Sequence, residues 1–199
     1  MKEQLTTTTR DVARELARKY STMTHDELDI LESVLVPMKF AKGEAVLREG
    51  DTCRNIYYVH KGMLRQFYYK NAKELTEYMA VEGNIVMCIE SLFREEPTHL
   101  QIEALEPTIV YCLPKRRLEE VALHNVNIQI LYRKILEESL ILSQVHADLV
   151  RFESAQDRYK KMCKLSPQVI LRSPLVYIAS YLQMTPETLS RVRASTLID

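Results

Sequence analysis

The sequence predicts an α+β chain with N-terminal helices, an antiparallel β-roll, a long dimerisation helix and a C-terminal helix-turn-helix domain. Three observations predict it. All four glycines, Gly43, Gly50, Gly62 and Gly83, fall within one run of short β-branched and aromatic segments, where turns need a positive φ. A long, narrow apolar stripe then runs from Ile128 to about Phe152. Finally, PLVYIASYLQMTPETLSRVRA, from Pro174 to Ala194, has the form of two short helices with a tight break. These signals divide the chain into a helix-and-strand unit over 1–125, a long helix over 126–152 and a helical unit over 153–199.

The N-terminal part opens with helices. An amphipathic helix is expected from about Thr9 to Tyr20, with Val12, Leu16 and Tyr20 on one side. Thr24-His25-Asp26-Glu27 is a capping box for a second, and Met23 can staple onto Leu28. Leu28, Leu31 and Leu35 continue its inner face, and Pro37 ends it.

From Met38 the period changes to that of strands. The segments FAKGEAVLREGD, NIYYVHKGMLRQFYY and ELTEYMAVEGNIVM are separated by glycine-containing turns. HLQIEALEPTIVYCLP continues them, with Leu100, Ile102, Ala104, Ile109, Tyr111 and Leu113 broadly alternate. Several short strands at this spacing suggest a β-roll or sandwich.

After Pro114 the pattern is helical again, first over Lys115 to Leu123 and then along the long stripe. Ile128, Leu131, Ile135, Leu142, Val145, Leu149 and Phe152 occupy a and d positions of a heptad, with Glu138 the polar exception. That pattern suits a coiled-coil seam between two copies. The alternative is a core helix packed on the strands. Leu136, Leu140 and Ile141 offer a second apolar side for that purpose. A further helix is expected from about Ser154 to Leu165, and SPQVILRS links it to the final pair.

In the final pair, Ser173 can cap the first helix and Pro174 suits its first turn. Thr185 can cap the second, with Pro186 and Glu187 following. Gln183, Met184 and Thr185 form the break, where glycine is common in such turns. Ile178, Ala179, Leu182, Met184, Leu189 and Val192 fall inward. Thr185, Glu187, Thr188, Ser190, Arg191 and Arg193 make a polar face of the kind a recognition helix needs: hydroxyls for phosphates, longer side chains for base edges.

Composition sets bounds. The net charge is zero, which argues against a wholesale nucleic-acid coat, but its distribution is uneven. Residues 151–199 hold eight Lys or Arg against four Asp or Glu, while 1–150 hold 19 against 23. A basic tail on an acidic body points to DNA at that end. No apolar run approaches the roughly 18–20 residues of a membrane span, and MKEQLTTTTR has no signal-peptide core. A cytoplasmic protein that does not enter membranes is the expectation. Cys53, Cys88, Cys112 and Cys163 lie far apart along the chain, so buried reduced thiols are expected rather than a metal centre. No Ser/His/Asp or Cys/His constellation suggests an enzyme.

The order of these parts resembles the Crp/Fnr family of bacterial transcription regulators, built on a cyclic-nucleotide-binding-type roll. FAKGEAVLREGD, NIYYVHKGMLRQFY, IEALEPTIVYCLP and YIASYLQMTPETLSRVR carry the resemblance, which spans about Met23 to Arg193. It implies a homodimer that binds double-stranded DNA, with RNA polymerase and a small-molecule effector as further partners. It implies base contacts from Glu187 and Arg191, one turn apart: Glu can accept from a cytosine amino group and Arg can pair with guanine.

Two features depart from the family pattern. The family's phosphate-binding cassette carries Gly-Glu and, ahead of the strand matching IEALE, Arg-Ser/Thr-Ala. Aligned by the resemblance, these positions hold Gly83-Asn84 and Thr98-His99-Leu100, and Arg94 lies on the far side of Pro97. A buried phosphodiester without a cation is costly, so no cyclic AMP or other cofactor is expected. No iron–sulfur sensor is expected either, since no cysteine precedes Cys53. His99 with Glu90, Glu95 and Glu96 is expected to be an exposed charged loop, not a metal site. The second departure is the lack of an obvious wing after the last helix, which implies a trimmed DNA-binding domain. The rival reading is a degenerate roll whose helix pair binds another protein instead of DNA.

Overall fold

The computed structural model describes residues 8–196. Most of the N-terminal stretch assessed for a signal peptide lies outside them. Two helices come first, α1 (Thr9–Tyr20) and α2 (His25–Val34). Both start on capping boxes, Thr8 with Asp11 and Thr24 with Glu27. Val12, Leu16 and Tyr20 are buried as expected, and Leu31 and Val34 form the inner face of α2. The helix stops at Val34 because Pro37 pushes the chain before it into extended backbone.

Eight strands follow: β1 (Val36–Phe40), β2 (Ala45–Leu47), β3 (Asn55–Lys61), β4 (Leu64–Lys70), β5 (Lys73–Ala80), β6 (Ile85–Val86), β7 (Gln101–Ala104) and β8 (Thr108–Pro114). A short helix α3 (Ile89–Arg94) sits between β6 and β7. The strands form two antiparallel four-stranded sheets, ordered β1-β8-β3-β6 and β2-β7-β4-β5. Pro37 is accommodated because β1 is an edge strand. The expected alternation fails in β8, where Val110–Leu113 are consecutively buried, and Ile56–Val59 of the neighbouring β3 are consecutively buried too. The cause is α1, which covers the outside of that sheet: the Tyr58 hydroxyl donates to Glu15 at 3.1 Å. Both faces of these strands are therefore dry.

After β8 come α4 (Lys115–Ala122) and α5 (Val126–Phe152). The first part of α5 is not the seam that the heptad suggests. Ile128, Leu131 and Ile135 are at most 1% exposed and belong to the roll's own core. Leu149 is also buried, against the C-terminal helices. The expectation that these four residues face a second copy is corrected, because a side chain already packed within its own chain offers nothing to a partner. Leu142 and Val145 are 42% and 46% exposed, and beside them Leu140 and Ile141 are 70% and 61% exposed. Of the second apolar side, Leu136 packs against the roll core as expected, while Leu140 and Ile141 do not. Glu138 is held by α1, through the Tyr20 hydroxyl and Lys19.

The chain finishes with α6 (Ala155–Leu165), α7 (Pro167–Arg172), α8 (Leu175–Tyr181) and α9 (Pro186–Thr196). The segment expected as a linker is the helix α7. Ser173 does not cap α8; its hydroxyl meets the sulfur of Met79 at 3.3 Å. No described helix is long and apolar enough to cross a membrane.

Candidate nucleic-acid interface and effector site

The last two helices make the expected pair. Ile178, Ala179, Leu182 and Leu189 are buried, with Met184 and Val192 packed against them. The turn needs one residue in the left-handed region, and Gln183 takes it at φ +49°. Thr185 caps α9, accepting from the Thr188 amide at 3.2 Å. Glu187 is exposed at the start of α9, where its own backbone N–H, the Thr185 hydroxyl and Arg191 hold its carboxyl below the ordinary value. Glu187, Ser190, Arg191 and Ala194 are all exposed, with spacings of three, four and seven from the first, so they share one face pointing away from the domain.

Not every expected reader lies on that face. Arg193 is half-buried and hydrogen-bonds Tyr159 of α6. It is withdrawn from the face for a structural role, because α9 packs its inner side against α6. Thr188 is half-buried too, and its hydroxyl faces Thr185 and Arg191 at 3.2 and 3.4 Å.

The cassette region also differs from the alignment. Gly83-Asn84 is the β5–β6 turn: the Asn84 side chain accepts from the Val81 amide at 3.1 Å, and Lys19 donates to the Gly83 carbonyl at 3.0 Å. The segment across from Thr98 is instead Met87–Ser91, at the start of α3. Gln66 of β4 points inward and donates to the Met87 carbonyl and towards the Cys88 sulfur, both at 3.2 Å. Thr98 is buried, and its hydroxyl accepts from the Leu100 amide at 2.9 Å and hydrogen-bonds Cys88. His99 is exposed, edge-on to Tyr68. The surrounding loop is charged and solvated as expected: Arg94 pairs with Glu90 at 3.2 Å, and Glu95 meets Lys115 and Arg116. No metal-holding cluster occurs among the described residues.

One functional candidate is missed by the sequence reading. Arg65 of β4 is fully buried on the outer side of its sheet, bonded to Glu74 at 2.5 Å, Glu103 at 2.8 Å and the Thr76 hydroxyl at 3.0 Å. The ring of Tyr177, on α8, lies 3.7 Å from its guanidinium carbon. Beside it the Thr76 amide donates to Ser180 at 2.8 Å, and Arg172 pairs with Glu82 at 2.8 Å and with Glu106. The helix pair is thereby docked on the roll. A strand arginine between carboxylates on both neighbouring strands is the sequence signal, visible only once register is known.

Comparisons with known proteins agree with this geometry. Residues 37–125 match the cyclic nucleotide-binding domain family. FixK2 from Bradyrhizobium japonicum superposes with a TM-score of 0.70 at 19% identity, covering 81% of this chain and 84% of its own. CooA from Carboxydothermus hydrogenoformans, as a mutant, gives 0.65 at 17% identity, covering 96% and 84%. The catabolite activator protein of Thermus thermophilus gives 0.55 at 19% identity, covering 91% and 85%. The chain has the Crp/Fnr fold. A search of curated protein sequences finds no match.

Proposed function

We propose that this Crp/Fnr-type chain is a homodimeric, DNA-binding transcription regulator of the bacterial cytoplasm that does not answer to cyclic AMP. The observation that carries it is the outward face of α9. A capped second helix of a helix-turn-helix presents Glu187, Ser190 and Arg191 to solvent while its apolar side is packed. Glu187 would accept from a cytosine amino group and Arg191 would pair with guanine O6 and N7. Thr185 and Ser190 would serve phosphates. Arg193 has no part in this set.

Two copies would meet through the exposed band of α5, Leu140, Ile141, Leu142 and Val145. The dimer would place two α9 helices on half-sites one turn apart. The arrangement of these helices would shift with the docking of α8 on the roll, where Arg65 and Tyr177 stand at the boundary.

The lack of response to cyclic AMP is supported by the cassette. The arginine closest to Thr98 in sequence, Arg94, is exposed and paired with Glu90, and the buried Thr98 hydroxyl is bonded to the Leu100 amide and Cys88, not to a cation. An anion placed there would lose its water without gaining a cation. A different, uncharged effector is compatible with that interior.

The test is selection of bound duplexes from a random DNA pool by the purified protein. A near-palindromic sequence with half-sites about one helical turn apart should emerge. A pool without enrichment at low salt favours the protein–protein module instead.

A further inference from the structure

Beside Thr98, at the start of α3, this chain brings two cysteines together. Cys53 lies just before β3 and Cys88 precedes α3, and both are 1% exposed. Their side chains are hydrogen-bonded to each other. The surrounding contacts fix both ends: the Cys53 amide donates to the Ser91 hydroxyl at 2.9 Å, and Gln66 reaches the Cys88 sulfur at 3.2 Å. These bonds tie the β2–β3 connection, the start of α3 and β4 into one buried polar knot. Structural thiols in a core usually stand among apolar side chains, as inert small hydrophobes. Cys112 is such a case: burial alone pushes its thiol up to about 12.

We propose that Cys53 and Cys88 are a redox-active dithiol that a small hydroperoxide converts to an intrachain disulfide. The division of labour follows from the contacts. The hydrogen bond with Cys88, helped by backbone hydrogen bonds at Cys88 and Asn55, pulls Cys53 below the usual thiol value, and in the reduced chain the Cys53 thiol also reaches the Asn55 carbonyl at 3.4 Å. Cys88, buried beside that sulfur, is pushed up and keeps its proton. Cys53 is thus the thiolate that attacks and Cys88 the thiol that resolves.

In the first step the Cys53 thiolate attacks one peroxide oxygen. The O–O bond breaks, Cys53 becomes a sulfenic acid, and an alkoxide or hydroxide leaves and takes a proton. In the second step the Cys88 sulfur attacks the sulfenic sulfur. The S–S bond forms, the S–O bond breaks, and the oxygen leaves as water with the thiol proton. Two electrons pass from the two sulfurs to the peroxide, and a thiol reductant returns them. Burial selects the oxidant class: local openings admit a hydroperoxide more readily than a bulky disulfide. The disulfide would pin α3 to the start of β3 and so set the shape of the roll's interior. This chemistry stands or falls independently of DNA binding.

The experiment is hydrogen peroxide treatment of the reduced full chain, followed by digestion under non-reducing conditions and mass spectrometry. The expected product is one peptide pair joined through Cys53 and Cys88, lighter by two hydrogens and restored by dithiothreitol. With dimedone present, Cys88→Ser should carry the label at Cys53, whereas wild type should carry little. The proposal is overturned if wild type oxidises only at Cys163, if dimedone marks Cys88 in Cys53→Ser more strongly than Cys53 in Cys88→Ser, or if both sulfurs stay reduced under peroxide that fully oxidises Cys163. The wild-type arm needs no variant to fold.

Discussion

Gly62 shows how much one residue can fix. Its φ is +99°, and a Cβ there would stand 2.5 Å from the Thr108 hydroxyl and 2.8 Å from the Pro107 carbonyl. Both atoms are held, since that hydroxyl accepts from the Met63 amide at 3.2 Å. Gly62→Ala combines a conformational penalty with a backbone clash, and should cost about 2 kcal/mol or more of stability. Urea unfolding followed by far-ultraviolet circular dichroism measures it; a midpoint equal to that of wild type would show that the turn relaxes freely. Glycine needs of this kind are legible in sequence, as are the Thr24 and Glu27 caps, because they depend on the nearest few residues. Arg65 is not legible in that way. Its burial depends on α8, more than a hundred positions later in the chain, coming back to cover β4. The same holds for Cys53 and Cys88, which are distant in sequence and meet only because β3 and α3 are neighbours in the roll.

At the scale of elements, α5 is the instructive case. Its length and helicity follow from the apolar stripe, and the structure has them over Val126–Phe152. The stripe alone does not reveal what covers it. A heptad pattern fits a seam and a core helix equally, since both bury one side. Here Ile128, Leu131 and Ile135 close the roll, and further along the helix Leu142 and Val145 of the same stripe are left exposed, with Leu140 and Ile141 beside them. This distinction separates two variants. Leu142→Glu with Val145→Glu should leave the fold intact and give monomers by light scattering, because those side chains touch solvent in the single chain. Ile135→Glu should instead unfold the roll, because a buried carboxylate has no partner there. A folded dimer from the double variant would move the interface elsewhere.

At the scale of the molecule, the order of parts is legible because each part has its own period: helical to Val34, strand-like to Pro114, helical thereafter. The cassette was legible only in part. The absence of an arginine at the Thr98–Leu100 positions is visible in the sequence, while Gly83-Asn84, expected as part of the cassette, forms the β5–β6 turn. A short helix after a short strand carries too little periodicity to set register. The docking of the helix pair on the roll, through Arg65, Tyr177 and Arg172, had no local signal at all. It joins the roll to the C-terminal helices, with Met79 of β5 buried in the same cluster as Ile178, Leu182 and Leu189.

That connection matters only if α9 reads DNA. The direct measurement is fluorescence anisotropy of a labelled duplex carrying the selected site, titrated with wild type and with Arg191→Ala at matched salt. A guanine contact contributes about 1–3 kcal/mol, so the variant should bind roughly 5- to 150-fold more weakly to that duplex. Its affinity for an unrelated duplex should change far less. Equal affinity of the two proteins for the selected site would contradict the assignment of α9 as the reading element.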